Sequence, residues 1–85
     1  MIEAMVVTLL TRAGCSACAR AQAELTPICD EFGVAVEVVD VDAAAAHDPE
    51  LRMEFGDRLP VVLLDGEEHG YGEVDEARLR ADLAR

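Results

Sequence analysis

Two cysteines separated by two residues, Cys15-Ser16-Ala17-Cys18, are the part of this chain best suited to chemistry. That spacing serves either a dithiol that cycles with its disulfide or half of a metal site. The pair falls between an apolar run, Met5-Val6-Val7-Thr8-Leu9-Leu10, and a segment with helical periodicity. The start of a helix carries partial positive charge and unpaired N–H groups, and both favour a thiolate. Cys15 is therefore expected to titrate below the free value of about 8.5, in the broad ~3.5–7.5 band of activated thiols. Arg12, just upstream, and Arg20, one turn beyond, are cations that add to the effect if they point inward. In this reading Cys15 attacks a substrate disulfide, and Cys18, one turn deeper, attacks the resulting mixed disulfide.

A zinc site would need Cys29 and a histidine to complete a three-cysteine, one-histidine set. On one continuous helix, however, Cys29 lies about 16 Å along the axis from Cys18. The same distance excludes a Cys18–Cys29 disulfide, which needs Cα atoms within about 7 Å. No metal is expected, and Cys29 is read as a small buried thiol that fills core space. His47 and His69 are expected to be exposed. Tyr71 is one of three aromatic residues, with Phe32 and Phe55, and fits either the edge of the core or a substrate contact.

The elements that position the pair follow from pattern. The first apolar run is a strand covered on both faces. From Ser16, the residues Cys18, Ala21, Leu25, Ile28 and Phe32 recur at helical steps. Pro27 lies within that stripe and is expected to kink or shorten the helix, with Gly33 as its stop. Val34 to Val39 forms a second strand, parallel to the first through a right-handed βαβ crossover. Asp48-Pro49 opens a short helix that ends at Phe55-Gly56. Val61 to Leu64 is a third strand, and Asp65-Gly66 is a hairpin turn into an antiparallel fourth strand, Glu67 to Tyr71. Asp75 caps a last helix with Leu79 and Leu83 on its inner face. The order βαβαββα predicts an α/β fold with a mixed four-stranded sheet flanked by helices.

Eighty-five residues make one domain, spanning 1–85. Apolar residues are 52% of the chain, but with so few aromatics the core must be built from Val and Leu. Eighteen acidic residues against seven arginines, with no lysine, leave a net charge of −11. That balance argues against nucleic acid and anionic membrane surfaces as partners. Met1-Ile2-Glu3 lacks a basic leader, and Ala4 to Leu10 is too short to span a bilayer, so a cytoplasmic location is expected. In a reducing compartment a cysteine pair is more often catalytic or metal-binding than structural.

With these residues in view, the chain resembles the glutaredoxin-like family of the thioredoxin superfamily over nearly its whole length. The resemblance rests on Thr11 through Cys18, Val39-Asp40-Val41-Asp42, Leu59-Pro60-Val61-Val62 and Gly70 through Asp75. It implies a thioredoxin-like fold and a thiol–disulfide oxidoreductase with catalytic Cys15 and Cys18. Arg12 matches a basic residue often found shortly before the nucleophile. The resemblance implies a cis peptide bond before Pro60, with Leu59 and Pro60 forming the substrate platform, and Tyr71 is taken beside them as a candidate substrate-binding residue. It also implies electrons from glutathione or from a reductase protein, no resident cofactor, and a monomer that acts on protein disulfides or glutathione mixed disulfides. The chain departs from the glutaredoxin pattern in two places: Ser16-Ala17 replaces a Pro-Tyr pair, and Gly70-Tyr71-Gly72 replaces a Gly-Gly pair. Two other functions stay open at this point. One is a non-catalytic or redox-sensing thioredoxin-like binding module using the Leu59-Pro60 groove. The other is a dimer sharing an iron–sulfur cluster through Cys15.

Overall fold

A computed structural model describes residues 5–84 of the chain. The reading of Met1-Ile2-Glu3 as lacking a leader lies outside the described residues, as does Ala4 of the first apolar stretch. The elements in order are β1 (Val6–Thr11), α1 (Ser16–Phe32), β2 (Ala35–Asp40), α2 (Val41–Ala44), α3 (Pro49–Phe55), β3 (Val61–Leu64), β4 (Glu67–Tyr71) and α4 (Glu76–Leu83). They form one sheet with strand order β2-β1-β3-β4. β1 runs parallel to β2 and antiparallel to β3, and β4 is antiparallel to β3. The expected mixed sheet is therefore present. No helix among the described residues is long and apolar enough to cross a membrane.

β1 is apolar almost throughout because both of its faces are covered. Val7 and Leu9 pack with Val62 against Ala21, Leu25, Ile28 and Cys29 of α1 and against Leu79 and Leu83 of α4. Leu10 turns to the other face and packs with Val61, Leu63, Val41 and Phe55. Alternation along β1 thus feeds two small cores, which is how a chain with so few aromatic residues covers its sheet.

Helix α1 ends at Gly33, whose φ of 67° is left-handed and whose N–H reaches the carbonyl of Asp30. The hairpin turn has the positive φ angles its sequence demands, 51° at Asp65 and 86° at Gly66. Asp75 accepts a hydrogen bond from the N–H of Arg78 and so caps α4.

Three expectations need correction. Pro27 does not shorten α1, which runs from Ser16 to Phe32 through it. Pro27 sits on the exposed face, where water can satisfy the carbonyl that loses its donor. The expected second helix is present as α3, but a further one-turn helix, α2, precedes it, giving the order βαβααββα. Asp40 ends β2 and accepts hydrogen bonds from the N–H groups of Asp42 and Ala43, which starts the one-turn α2 directly after the strand. Pro49 opens α3 as expected, but the Asp48 side chain makes no capping bond.

Candidate active site

Thr11 closes β1, and the chain turns through Arg12-Ala13-Gly14 to enter α1 at Cys15. Cys15 is the N-cap of that helix: its sulfur accepts the N–H of Cys18 at 3.1 Å. Its own N–H donates to the Arg12 carbonyl at 3.3 Å, so the turn is held at both ends. Cys15 and Cys18 are joined by a disulfide with Cα atoms 5.2 Å apart. Cys15 is half-buried while Cys18 is 3% exposed, so one sulfur is presented and the other lies beneath it. An open groove of about 420 Å³ runs past the pair, lined by Thr11, Arg12, Gly14, Cys15, Ser16 and Cys18 among others.

Arg12 borders this groove, but its guanidinium is engaged elsewhere. Nε donates to Asp42 Oδ2 at 2.8 Å and Nη2 to Asp42 Oδ1 at 3.2 Å, while Nη1 donates to the Gly56 carbonyl at 3.2 Å. The hydrogen bond and charge of Arg12 hold the Asp42 carboxyl below the usual carboxylate range, and Asp42 in turn raises the guanidinium. In the sequence Asp42 stood only as part of the Val39-Asp40-Val41-Asp42 segment, with no role of its own. The signal that could have found it is register: Thr11 pairs with Asp40 across the parallel ladder, so the next residues of the two strands meet. Arg20 is exposed and borders a separate small pocket with Ala17, Gly72 and Glu73.

The Leu59–Pro60 peptide is cis. Leu10 pairs with Val61, which puts Pro60 at the end of β3 beside the end of β1 that leads to Cys15. Pro60 is buried, and its carbonyl accepts the N–H of Gly72 at 2.8 Å, tying the loop after β4 to the same end of the sheet. Leu59 is half-buried against the second core. Tyr71 lies on the surface, 59% exposed, and not in the core. Its ring and that of Phe55 flank the Arg58 guanidinium at 5.7 and 5.3 Å, and Arg58 also pairs with Glu68 at 3.2 Å.

His69 corrects another expectation. It is 8% exposed, and its Nε2 lies 2.8 Å from Asp82 Oδ2 on α4. Alternation in β4 turns it toward the helix, and the carboxylate supplies the partner a buried imidazole requires. Its carbonyl accepts from Arg78, which adds a second link between β4 and α4. His47 is exposed as expected. Cys29 is fully buried, and burial pushes its thiol up from the ordinary value, with Asp30 adding to the shift. It fills core space as expected. Among the described residues no three His, Cys, Asp or Glu side chains gather to hold a metal ion.

Comparison with known proteins gives the same placement. The family model for the glutaredoxin-like domain (DUF836) matches residues 6–84. An uncharacterized protein of Mycobacterium tuberculosis is 60% identical over 80 residues, covering 93% of this chain and 82% of the relative. An uncharacterized Mycobacterium bovis protein matches to the same extent. Among solved structures, the solution structure of protein Ne2328 from Nitrosomonas europaea superposes with a TM-score of 0.78, at 21% identity over 96% of this chain and 94% of the other. Thioredoxin from Fasciola hepatica gives 0.63, also at 21% identity, over 96% and 80%. At such identities the structural likeness speaks for the fold, and the match along nearly the whole chain speaks for the family. This chain therefore belongs to the glutaredoxin-like domain family, within the thioredoxin superfamily.

Proposed function

We propose that the chain is a thiol–disulfide oxidoreductase whose working unit is the single domain 1–85, with Cys15 as nucleophile and Cys18 as resolving thiol. The observation that carries this reading is the N-cap position of a half-exposed Cys15 over a buried Cys18 within bonding reach. In the reduced protein the Cys15 thiolate attacks one sulfur of a substrate disulfide. A Cys15–substrate disulfide forms, and the other substrate sulfur leaves as a thiolate that takes up a proton. The Cys18 thiol then loses its proton and attacks Cys15 Sγ. The Cys15–Cys18 disulfide closes, and the second substrate thiol is released. Two electrons pass from the dithiol to the substrate, and an external thiol, either glutathione or a reductase protein, must return them.

Substrate is positioned by Leu59, Pro60 and Tyr71, which the fold brings to the same end of the sheet. A dithiol working as a reductant suits the cytoplasm. The test follows reduction of a glutathione–peptide mixed disulfide by the reduced protein, with mass analysis of trapped species. Cys15→Ser should abolish exchange, and Cys18→Ser should accumulate a mixed disulfide on Cys15. Equal residual activity in the two variants overturns the assignment of roles.

A further inference from the structure

The proposed reaction depends on how strongly the surroundings stabilise the Cys15 thiolate, and the structure holds an unassigned residue that bears on it. We propose that Asp42 is a positioning residue that masks the charge of Arg12 from Cys15. The inference rests on the proposed function, because it concerns the acidity of that nucleophile.

Arg12 and Cys15 share one turn, with the Cys15 N–H on the Arg12 carbonyl, and both line the same groove. An isolated guanidinium there would add to the pull of the helix N-terminus on the thiolate. It is not isolated. Two of its N–H groups meet both oxygens of Asp42, and a third meets the carbonyl of Gly56 at the end of α3. A cation in bidentate contact with a carboxylate acts at a distance as a dipole, whose potential falls off faster than that of a single charge. The arginine thus braces the Cys15 turn against α2 and α3 while contributing little net charge to the sulfur.

The other charged groups around this corner are few. Asp40 ends β2, and Arg52 of α3 approaches Asp42 at 3.7 Å. Arg20 lies one turn along α1 on an exposed face. Asp57 and Arg58 follow α3 and pair with each other at 4.0 Å, with Arg58 also held by Glu68. None of these makes the two-point contact with Arg12 that Asp42 makes.

The test is a double-substitution cycle read by the pH dependence of Cys15 alkylation in the reduced protein. Asp42→Asn keeps the side-chain shape and an acceptor for Arg12 but removes the charge. It should lower the apparent Cys15 pKa by roughly half a unit, the scale of one unscreened charge several ångströms away in a watery setting. Arg12→Gln, which removes the cation and leaves Asp42 facing only Arg52, should raise it by a similar amount, and the double variant should lie near the parent. Both single shifts should shrink in high salt. A merely structural role for Asp42 would change stability without these opposed shifts. The proposal is overturned if Asp42→Asn leaves the value unchanged or raises it, or if the double variant fails to return. Failure of the proposed reaction is read separately: the parent protein would then not reduce the mixed disulfide, whatever the cycle on Cys15 acidity shows.

Discussion

Breaking the Cys15–Cys18 disulfide is the perturbation that the proposed reaction imposes on the fold at each turnover, so its effect on stability can be worked out in advance. The bond joins residues three apart in sequence, so it closes a very short loop. In the chain-entropy account a four-residue loop restricts the unfolded chain by about 6 cal/mol/K, or about 2 kcal/mol at room temperature. Reduction removes that restriction and no more, provided the folded turn keeps its shape. The turn has supports besides the S–S bond: the Cys18 N–H on Cys15 Sγ, the Cys15 N–H on the Arg12 carbonyl, and the Arg12 side chain on Asp42 and Gly56. A Cys15 thiolate is a better acceptor for the Cys18 N–H than a disulfide sulfur, which offsets part of the loss. The expected destabilisation on reduction therefore lies between zero and about 2 kcal/mol. That is no more than the lower end of the ~2–5 kcal/mol expected for Leu25→Ala, which empties a fully buried site between α1 and the sheet.

The assay is urea unfolding of the oxidised and the fully reduced protein, followed by far-ultraviolet circular dichroism, with Leu25→Ala as the reference. Both redox forms should unfold cooperatively with the same dependence on urea, because nearly the same surface is exposed. A loss on reduction that exceeds the effect of Leu25→Ala, or a reduced form without a cooperative transition, would refute the reasoning. The pair would then be a staple of the fold, and a reaction that opens it repeatedly would be untenable.

Two further outcomes concern Cys29 and Gly33. Burial raises the Cys29 thiol in the folded state, so the folded chain keeps the proton that the unfolded chain gives up. The stabilising contribution is present in full below the unfolded value of about 8.5 and is lost as pH rises through the folded one. Unfolding titrations above neutral pH should show this decline, and Cys29→Ala should flatten it; an identical decline in both proteins would locate the cause elsewhere. Gly33→Ala should cost about 1 kcal/mol through its left-handed backbone alone, because an added Cβ at that helix end meets nothing within 4 Å. A loss of several kcal/mol in chemical denaturation would mean that more than the backbone is involved.

What was legible in the sequence were the features whose physics is local. The apolar run of β1, the stripe of α1, Gly33 as its stop, the Asp65-Gly66 turn and the Asp75 cap each depend on a few neighbouring residues, and each is found in place. The misreadings share a different cause. One-turn α2 is too short for a periodic signal and exists because the Asp40 side chain takes two backbone N–H groups. His69 was read as exposed because a five-residue strand does not reveal which of its sides α4 covers, nor that Asp82 waits there. Pro27 looked like a break only because its facing toward solvent could not be seen.

Arg12 illustrates the same limit at the site itself. Its position before Cys15 could be read directly, and from position alone its charge would be counted toward the thiolate. Its partner lies thirty residues further along, on the element after the neighbouring strand. Only the pairing of Thr11 with Asp40 brings the two together. The placement of the cysteines is thus a local property, whereas the electrostatic setting of Cys15 is a property of strand register. Relatives that keep the Cys-x-x-Cys turn and the arginine but lose the carboxylate at the position of Asp42 should therefore carry a more acidic nucleophile on the same fold. Alkylation profiles of such a protein beside this one, recorded at matched salt, would show that difference if the register argument is right and no difference if the arginine acts alone.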